Sequence, residues 1–194
     1  MLSRLYIAEI PHREPGKVFS PQRQAQLDAT GNLPHRQQRY FVWKLLEYSI
    51  FDSLGLSLEQ LRLTLHGSGR WSCEECFFSL AHSGQAVAVA ISDAPIGVDL
   101  ERLDRRVNPS LSRKILSPRQ QEAFSLLDSS RQSGYLLETW CVRESLFKWR
   151  EAASKDQPEP PSLTGTVTVA GQDYCYGVVS HHSECLQIFT DISL

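Results

Sequence analysis

Hydrophobic residues along the chain change period several times, and those changes outline the elements. Leu2 to Ile10 alternates loosely between apolar and polar positions, which predicts a strand, and PHREPG after it reads as a turn. Residues 20–35 are polar and broken by proline and glycine, so a short helix plus loop is expected. Arg36 to Leu54 carries apolar residues at helical spacing and stops at Gly55, which predicts a helix. Leu61, Leu63 and Leu65 alternate with Arg62 and Thr64 as a half-buried strand would. CFFSLAHSGQAVAVAIS then holds two apolar runs about HSGQ, the pattern of a hairpin turning at Ser83 and Gly84.

In the second part IGVDLE is a short extended run. Ser117, Pro118 and Gln120 give a capping-box start to a helical region that reaches Glu151, with a break expected near SSRQSG. KDQPEPPS reads as a linker, and TVTVA, YCYGVVS and CLQIFTDI as a closing three-strand meander. The order of elements predicts an α+β fold with mainly antiparallel sheets. The two parts, 1–93 and 94–194, have similar element order, so two α+β halves are expected.

The stretch WCVRESLFKW departs from simple amphipathicity. On a helical wheel Leu136, Leu137, Trp140 and Phe147 share one sector, with Glu144 inside it and Lys148 at its edge. An unpaired carboxylate taken into an apolar interior costs several kcal/mol or more, so Glu144 needs a partner. A salt bridge to Lys148, one turn on, is the plain explanation. A second acidic feature competes with it. In GVDLE, Asp99 and Glu101 are two apart at a strand end and point to the same face, while Val98 and Leu100 point to the other. Arg102, Arg105 and Arg106 follow and can pair with them. Taken with Glu144, the two form a trio suited to a hard divalent ion such as Mg²⁺, which keeps open positions for phosphate oxygens. Lys148 then becomes a candidate phosphate ligand or proton manager.

Composition narrows the classes. The 194 residues are 41% apolar and 22% charged, which suits a folded globular chain. A net charge of −2 gives no nucleic-acid footprint. There is no apolar run of membrane-spanning length, and Arg4, Glu9 and Pro11 interrupt any leader-like core, so a cytoplasmic protein without membrane or nucleic-acid partners is expected. Five scattered cysteines predict free thiols. Cys73 and Cys76 form a lone CxxC without a second close pair, which argues against structural zinc. The motif precedes a strand instead of opening a helix, which argues against a thioredoxin-like role. GxSxG, GxGxxG and Walker A motifs are all absent.

FSLAHSG (78–84), GVDLE (97–101) and WCVRESLFK (140–148), in this order and spacing, resemble the 4'-phosphopantetheinyl transferases of the longer, monomeric, surfactin-synthetase-activating type. The resemblance implies two similar α+β halves with the active site between them. It also implies Mg²⁺-dependent transfer of phosphopantetheine from coenzyme A to a serine of an apo carrier protein, releasing adenosine 3',5'-bisphosphate. By motif match, Asp99, Glu101 and Glu144 would hold the metal, Glu144 would act as base, and Lys148 would steady pyrophosphate charge. His82 matches a histidine that contacts coenzyme A phosphates, and Arg39 and Arg70 align with basic residues that are expected phosphate ligands. The sequence departs from the pattern at Arg143, Ala81 and Arg70–Trp71. Carrier proteins are acidic, and Arg102, Arg105, Arg106, Arg113 and Lys114 are the expected docking patch. Two other classes fit the residues: another metal-dependent phosphate enzyme (a nuclease or pyrophosphatase), and an inactive homologue that binds carrier or coenzyme A. The sequence does not distinguish fatty-acid, polyketide and nonribosomal-peptide carriers.

Overall fold

The computed structural model describes residues 3–194. Its strands are β1 (Arg4–Glu9), β2 (Thr64–Leu65), β3 (Trp71–Ser72), β4 (Phe77–Ser83), β5 (Ala86–Ser92), β6 (Ile96–Arg102), β7 (Ser162–Val169), β8 (Gln172–Ser180) and β9 (Gln187–Phe189). Its helices are α1 (Pro21–Asp28), α2 (Leu33–Leu54), α3 (Ser112–Ile115), α4 (Pro118–Ser125) and α5 (Ser129–Ala152). The class is α+β, as the element order predicts. No helix among the described residues is long and apolar enough to cross a membrane.

Two main sheets, ordered β4-β5-β1-β9 and β6-β8-β7, stack face to face. Alternation decides which side chains meet. Leu5, Ile7, Ala86, Ala88 and Ala90 of the first sheet form one core with Ile96, Val98, Leu100, Tyr174 and Val178 of the second. The opposite side of the first sheet, through Tyr6, Ala8, Val87, Val89 and Ile91, packs under α2. The opposite side of the second packs under α5, where Cys141 and Leu137 meet Cys175. The layers therefore run helix, sheet, sheet, helix.

Several elements differ from expectation. Asn32 accepts a hydrogen bond from the His35 amide, so α2 begins three residues before Arg36. The strand expected over Leu61–Leu65 shrinks to β2, because buried Leu61 packs into the core beneath α2 instead of alternating in a sheet. Ser83 pairs with Ala86, so the hairpin turns at Gly84 and Gln85, one residue later than expected. The Ser117 capping box forms as predicted. The helical break falls before SSRQSG, because Asp128 caps α5 by accepting from the Arg131 amide. The expected closing meander is also incomplete. β7 and β8 pair, but β9 leaves them and runs parallel to β1. Phe189 stacks on Tyr6 there, with ring centroids 4.9 Å apart. The strand expected from Leu2 is seen from Arg4 onward, and Leu2 lies outside the described residues.

Candidate active site

The edge strands β4 and β6, one from each sheet, lie side by side and are joined by side chains instead of a backbone ladder. The Ser79 hydroxyl accepts from the Val98 amide at 3.1 Å, and the Ser83 hydroxyl accepts from the Arg102 amide at 3.2 Å. Lys148, reaching from α5, donates to the carbonyls of Leu80 (3.3 Å) and Val98 (2.8 Å) and to Asp99 Oδ1 (2.9 Å). An ammonium has three donors, and all three are used.

Helix α5 lies close enough to do this because it buries a narrow stripe of Leu137, Cys141, Ser145 and Trp149, four residues apart each time. The stripe sits on Gly97 and Gly177. A Cβ at Gly97 would come within 1.9 Å of the Ser145 carbonyl oxygen, so only glycine fits. This corrects the wheel reading: Phe147 is 57% exposed, and Glu144 flanks the buried stripe instead of lying inside it. Half-buried Glu144 has no hydrogen-bond or ion-pair partner among the described residues, since Lys148 turns to Asp99.

Asp99 and Glu101 are both buried on the α5 side of β6. Glu101 accepts from Ser83 Oγ (3.0 Å) and from Arg105 Nη1, which is 2.9 Å from each carboxylate oxygen. Asp99 Oδ2 is buried with no partner. Burial pushes the Asp99 carboxyl up to about 6; Lys148 pulls against the rise, and the negative charges of Glu101 and Glu144 add to it. Three carboxylates in mutual repulsion, one with an orphaned oxygen, are chemically suited to a hard divalent cation. No group of three or more acidic, histidine or cysteine side chains among the described residues forms a ready-made cage. In this arrangement Lys148 and Arg105 neutralise two of the three acids.

Beside this seam opens a cleft of about 400 Å³, lined by α1, α2, the loop before β3, β4 and α5. Arg23, Arg39, Arg70, His82 and Lys148 face it, with Glu144 and Glu151 on the α5 wall. The expected residues Arg39, Arg70, His82, Glu144 and Lys148 thus converge, whereas Asp99 and Glu101 lie behind Lys148 at the seam. Arg70 donates to the Glu151 carbonyl, and burial lowers its pKa. His82 keeps part of its surface in solvent. Desolvation of the part within the cleft, and then repulsion from Lys148, His35, Arg39 and Arg23, push it down to about 4, so it is a neutral imidazole at pH 7.

Arg23 is the residue that the sequence reading missed. It is buried, its guanidinium lies 5.0 Å from the Trp43 ring centroid, and it donates to the Arg39 carbonyl and to Gln26. Burial and the nearby Arg39 lower it to about 10, which still leaves it charged at neutral pH. Its Nε has no partner. Polar residues 20–35 gave no periodic signal that one arginine would turn inward.

Residues 95–176 match the 4'-phosphopantetheinyl transferase superfamily. This segment belongs to that superfamily. The chain is also similar to the 4'-phosphopantetheinyl transferase psf-1 of Bacillus pumilus, 25% identical over 107 residues, which is 54% of this chain and 46% of that protein. To the 4'-phosphopantetheinyl transferase Sfp of Bacillus subtilis (strain 168) it is 26% identical over 74 residues, 38% of this chain and 33% of that protein. The chain therefore aligns with less than half the length of these curated relatives. Asp99, Glu101, Glu144 and Lys148 lie inside the 4'-phosphopantetheinyl transferase superfamily segment. Arg23, Arg39, Arg70 and His82 lie before it, so the cleft joins the matched segment to the part of the chain that precedes it.

The departures from the family pattern have local explanations. Arg143 donates to the carbonyls of Lys114 and Ile115 and so ties α5 to α3 instead of facing the cleft. Ala81 is buried between the two sheets. Trp71, next to Arg70, donates to Gln26 and packs edge-on against Trp43.

Proposed function

We propose that the chain is a 4'-phosphopantetheinyl transferase that moves phosphopantetheine from coenzyme A to a serine of an acidic apo carrier protein, releasing adenosine 3',5'-bisphosphate. The observation that carries this reading is the cleft in which five cationic or basic side chains meet the unpartnered carboxylate of Glu144 beside the acidic seam. Such a lining suits a substrate with several phosphates and a nucleophile that must lose a proton. The halves 1–93 and 94–194 would then contribute the two walls, and the enzyme would act as a cytoplasmic monomer.

Asp99, Glu101 and Glu144 would hold Mg²⁺, and the orphaned Asp99 Oδ2 is the feature that favours it. The ion, when bound, would neutralise charge on the pyrophosphate. The chain's own residues do the rest. Arg23, Arg39 and Arg70 would hold phosphates through their planar donors, and neutral His82 would add one hydrogen bond without a further charge. Lys148, its donors already used, would act through its field while keeping β4 against β6. Glu144 would accept the proton of the attacking serine hydroxyl. Displacement at phosphorus depends chiefly on such positioning and charge neutralisation.

The acidic carrier would be steered by Arg102, Arg105, Arg106, Arg113 and Lys114. Arg105 also holds Glu101, so the patch is better probed by charge reversal at Arg106 and Lys114, which should raise the Michaelis constant for carrier. The deciding experiment is incubation with coenzyme A, Mg²⁺ and apo carrier, followed by mass spectrometry for one phosphopantetheine on serine. Glu144→Gln should abolish transfer with the fold retained. Full activity in that variant would remove Glu144 from the mechanism.

A further inference from the structure

The CxxC motif has no part in the transfer chemistry. Cys73 follows β3 and Cys76 precedes β4, so the four residues CEEC join two strands that both line the phosphate-sized cleft. The intervening acids are both engaged by Arg62. Glu74 pairs with the Arg62 guanidinium at 2.9 Å, and Glu75 accepts from the Arg62 amide. Held this way, the loop brings Cys73 Sγ to 3.6 Å from Cys76 Sγ and 3.2 Å from the Cys76 carbonyl. A disulfide needs about 2 Å, a closure within reach of side-chain rotation. A separate cavity of about 260 Å³, lined by His66, Arg70, Ser72, Cys73, Cys76 and Phe78, opens onto the pair. Arg70 and Phe78 line both this cavity and the main cleft.

The geometry points to Cys73 and Cys76 as a redox-active dithiol that exchanges with a small disulfide of the glutathione class. The motif lacks the helix N-terminus that favours a thiolate in thioredoxin-like proteins, and the loop supplies another source. Hydrogen bonding to the Cys76 side chain is the largest influence on Cys73 and lowers its pKa; the backbone of Cys76 and Glu75 adds to this, burial and the Glu75 charge oppose it, and Cys76 is pushed up by that same bond and by burial. Half-buried Cys73 is therefore the attacking thiolate, and Cys76, 6% exposed, the resolving thiol.

In the first step the Cys73 thiolate attacks one sulfur of the small disulfide, forming a mixed disulfide and expelling one thiolate. In the second, Cys76 gives up its proton, its sulfur attacks Cys73 Sγ, and a second thiolate leaves. The protein dithiol loses two electrons and two protons, and the small disulfide becomes two thiols.

The test uses the full chain carrying Cys185→Ser, which removes the one exposed thiol. After equilibration in glutathione buffers of rising oxidised fraction, remaining thiols are alkylated in denaturant and mapped by peptide mass spectrometry. Cys73 and Cys76 should lose alkylation together, while Cys141 and Cys175 stay labelled. Cys76→Ser should trap glutathione on Cys73, and Cys73→Ser should take up glutathione at least about tenfold more slowly. Circular dichroism checks that both variants remain folded. Full alkylation of both cysteines at about a hundredfold excess of oxidised glutathione overturns the proposal, as does trapping on Cys76 in place of Cys73. None of these readouts involves coenzyme A or a carrier, so they stand or fall apart from the transferase reading.

Discussion

Helices α2 and α5 each cover one sheet, and they do so by different means. Helix α2 docks through bulk: Phe41, Trp43, Leu45, Leu46 and Ile50 are all fully buried. Helix α5 buries Leu137 and Trp149 but makes its closest approach through small groups, with Cys141 and Ser145 against Gly177 and the helix backbone against Gly97. A serine sits at the centre of each contact. Ser49 Oγ donates to the Leu45 carbonyl in its own helix, whereas Ser145 Oγ lies 2.6 Å from the Cys141 carbonyl and 2.8 Å from Gly177 on β8. Bulky side chains can repack around a small shift, but backbone against backbone cannot. The helix that carries Glu144 and Lys148 is thus the one whose height over its sheet is fixed.

The most severe way to break this contrast is Gly97→Ala. With the new Cβ 1.9 Å from a carbonyl oxygen, α5 must lift, and we expect a loss of about 3 kcal/mol or more in chemical denaturation. On the other side, Ile50→Val should cost only about 1 kcal/mol. Similar costs at the two sites would refute the distinction.

Asp99 supplies the next effect, in pH. Its folded pKa of about 6 lies above the ordinary 3.8, so the folded state holds the proton more tightly than the unfolded state. The resulting stability is full below about pH 3.8 and is lost as pH rises through about 6. Relative to Asp99→Asn, the natural protein should lose about 3 kcal/mol across that window, since each pKa unit is worth about 1.4 kcal/mol. Parallel stability profiles for the two proteins would show that Asp99 titrates normally.

Lys148→Met removes the ammonium joining β4 to β6 and leaves Asp99 and two carbonyls without it. A loss of about 2 kcal/mol is expected, with faster amide exchange at the β4 and β6 edges. The serines give the finest comparison. Ser145→Ala should cost about 1 kcal/mol and Ser49→Ala a few tenths, because only Ser145 bonds to a neighbouring strand. Equal values from thermal melts would mean that the strand bond adds nothing.

Period-2 alternation made the shared face of Asp99 and Glu101 legible, and two of the three motifs marked His82, Glu144 and Lys148 in the cleft, whereas Arg23, Arg39 and Arg70 lie outside all three. The setting of Glu144 is not legible from the wheel, because a wheel marks the buried face by its large apolar residues. The true stripe is built on Cys141 and Ser145, whose small size is what permits close approach. The choice of Asp99 over Glu144 as the partner of Lys148 depends on the distance between α5 and β6, which is set by Gly97, a residue that looks like ordinary strand punctuation. The departure of β9 was hidden for a different reason. A parallel pairing with β1 spans nearly the whole chain and leaves no local pattern.

That pairing makes the order of synthesis matter. β1 leaves the ribosome well before β9, with one side to be covered by β5 and the other by that later strand near residue 189. Until that strand emerges, β1 has an open hydrogen-bonding edge, and Tyr6 lacks its stacking partner Phe189. A nascent chain stalled before Gln187 could assemble every wall of the cleft and still present a sticky sheet edge to its neighbours. Chaperone demand should therefore persist until the strand Gln187–Phe189 has paired with β1.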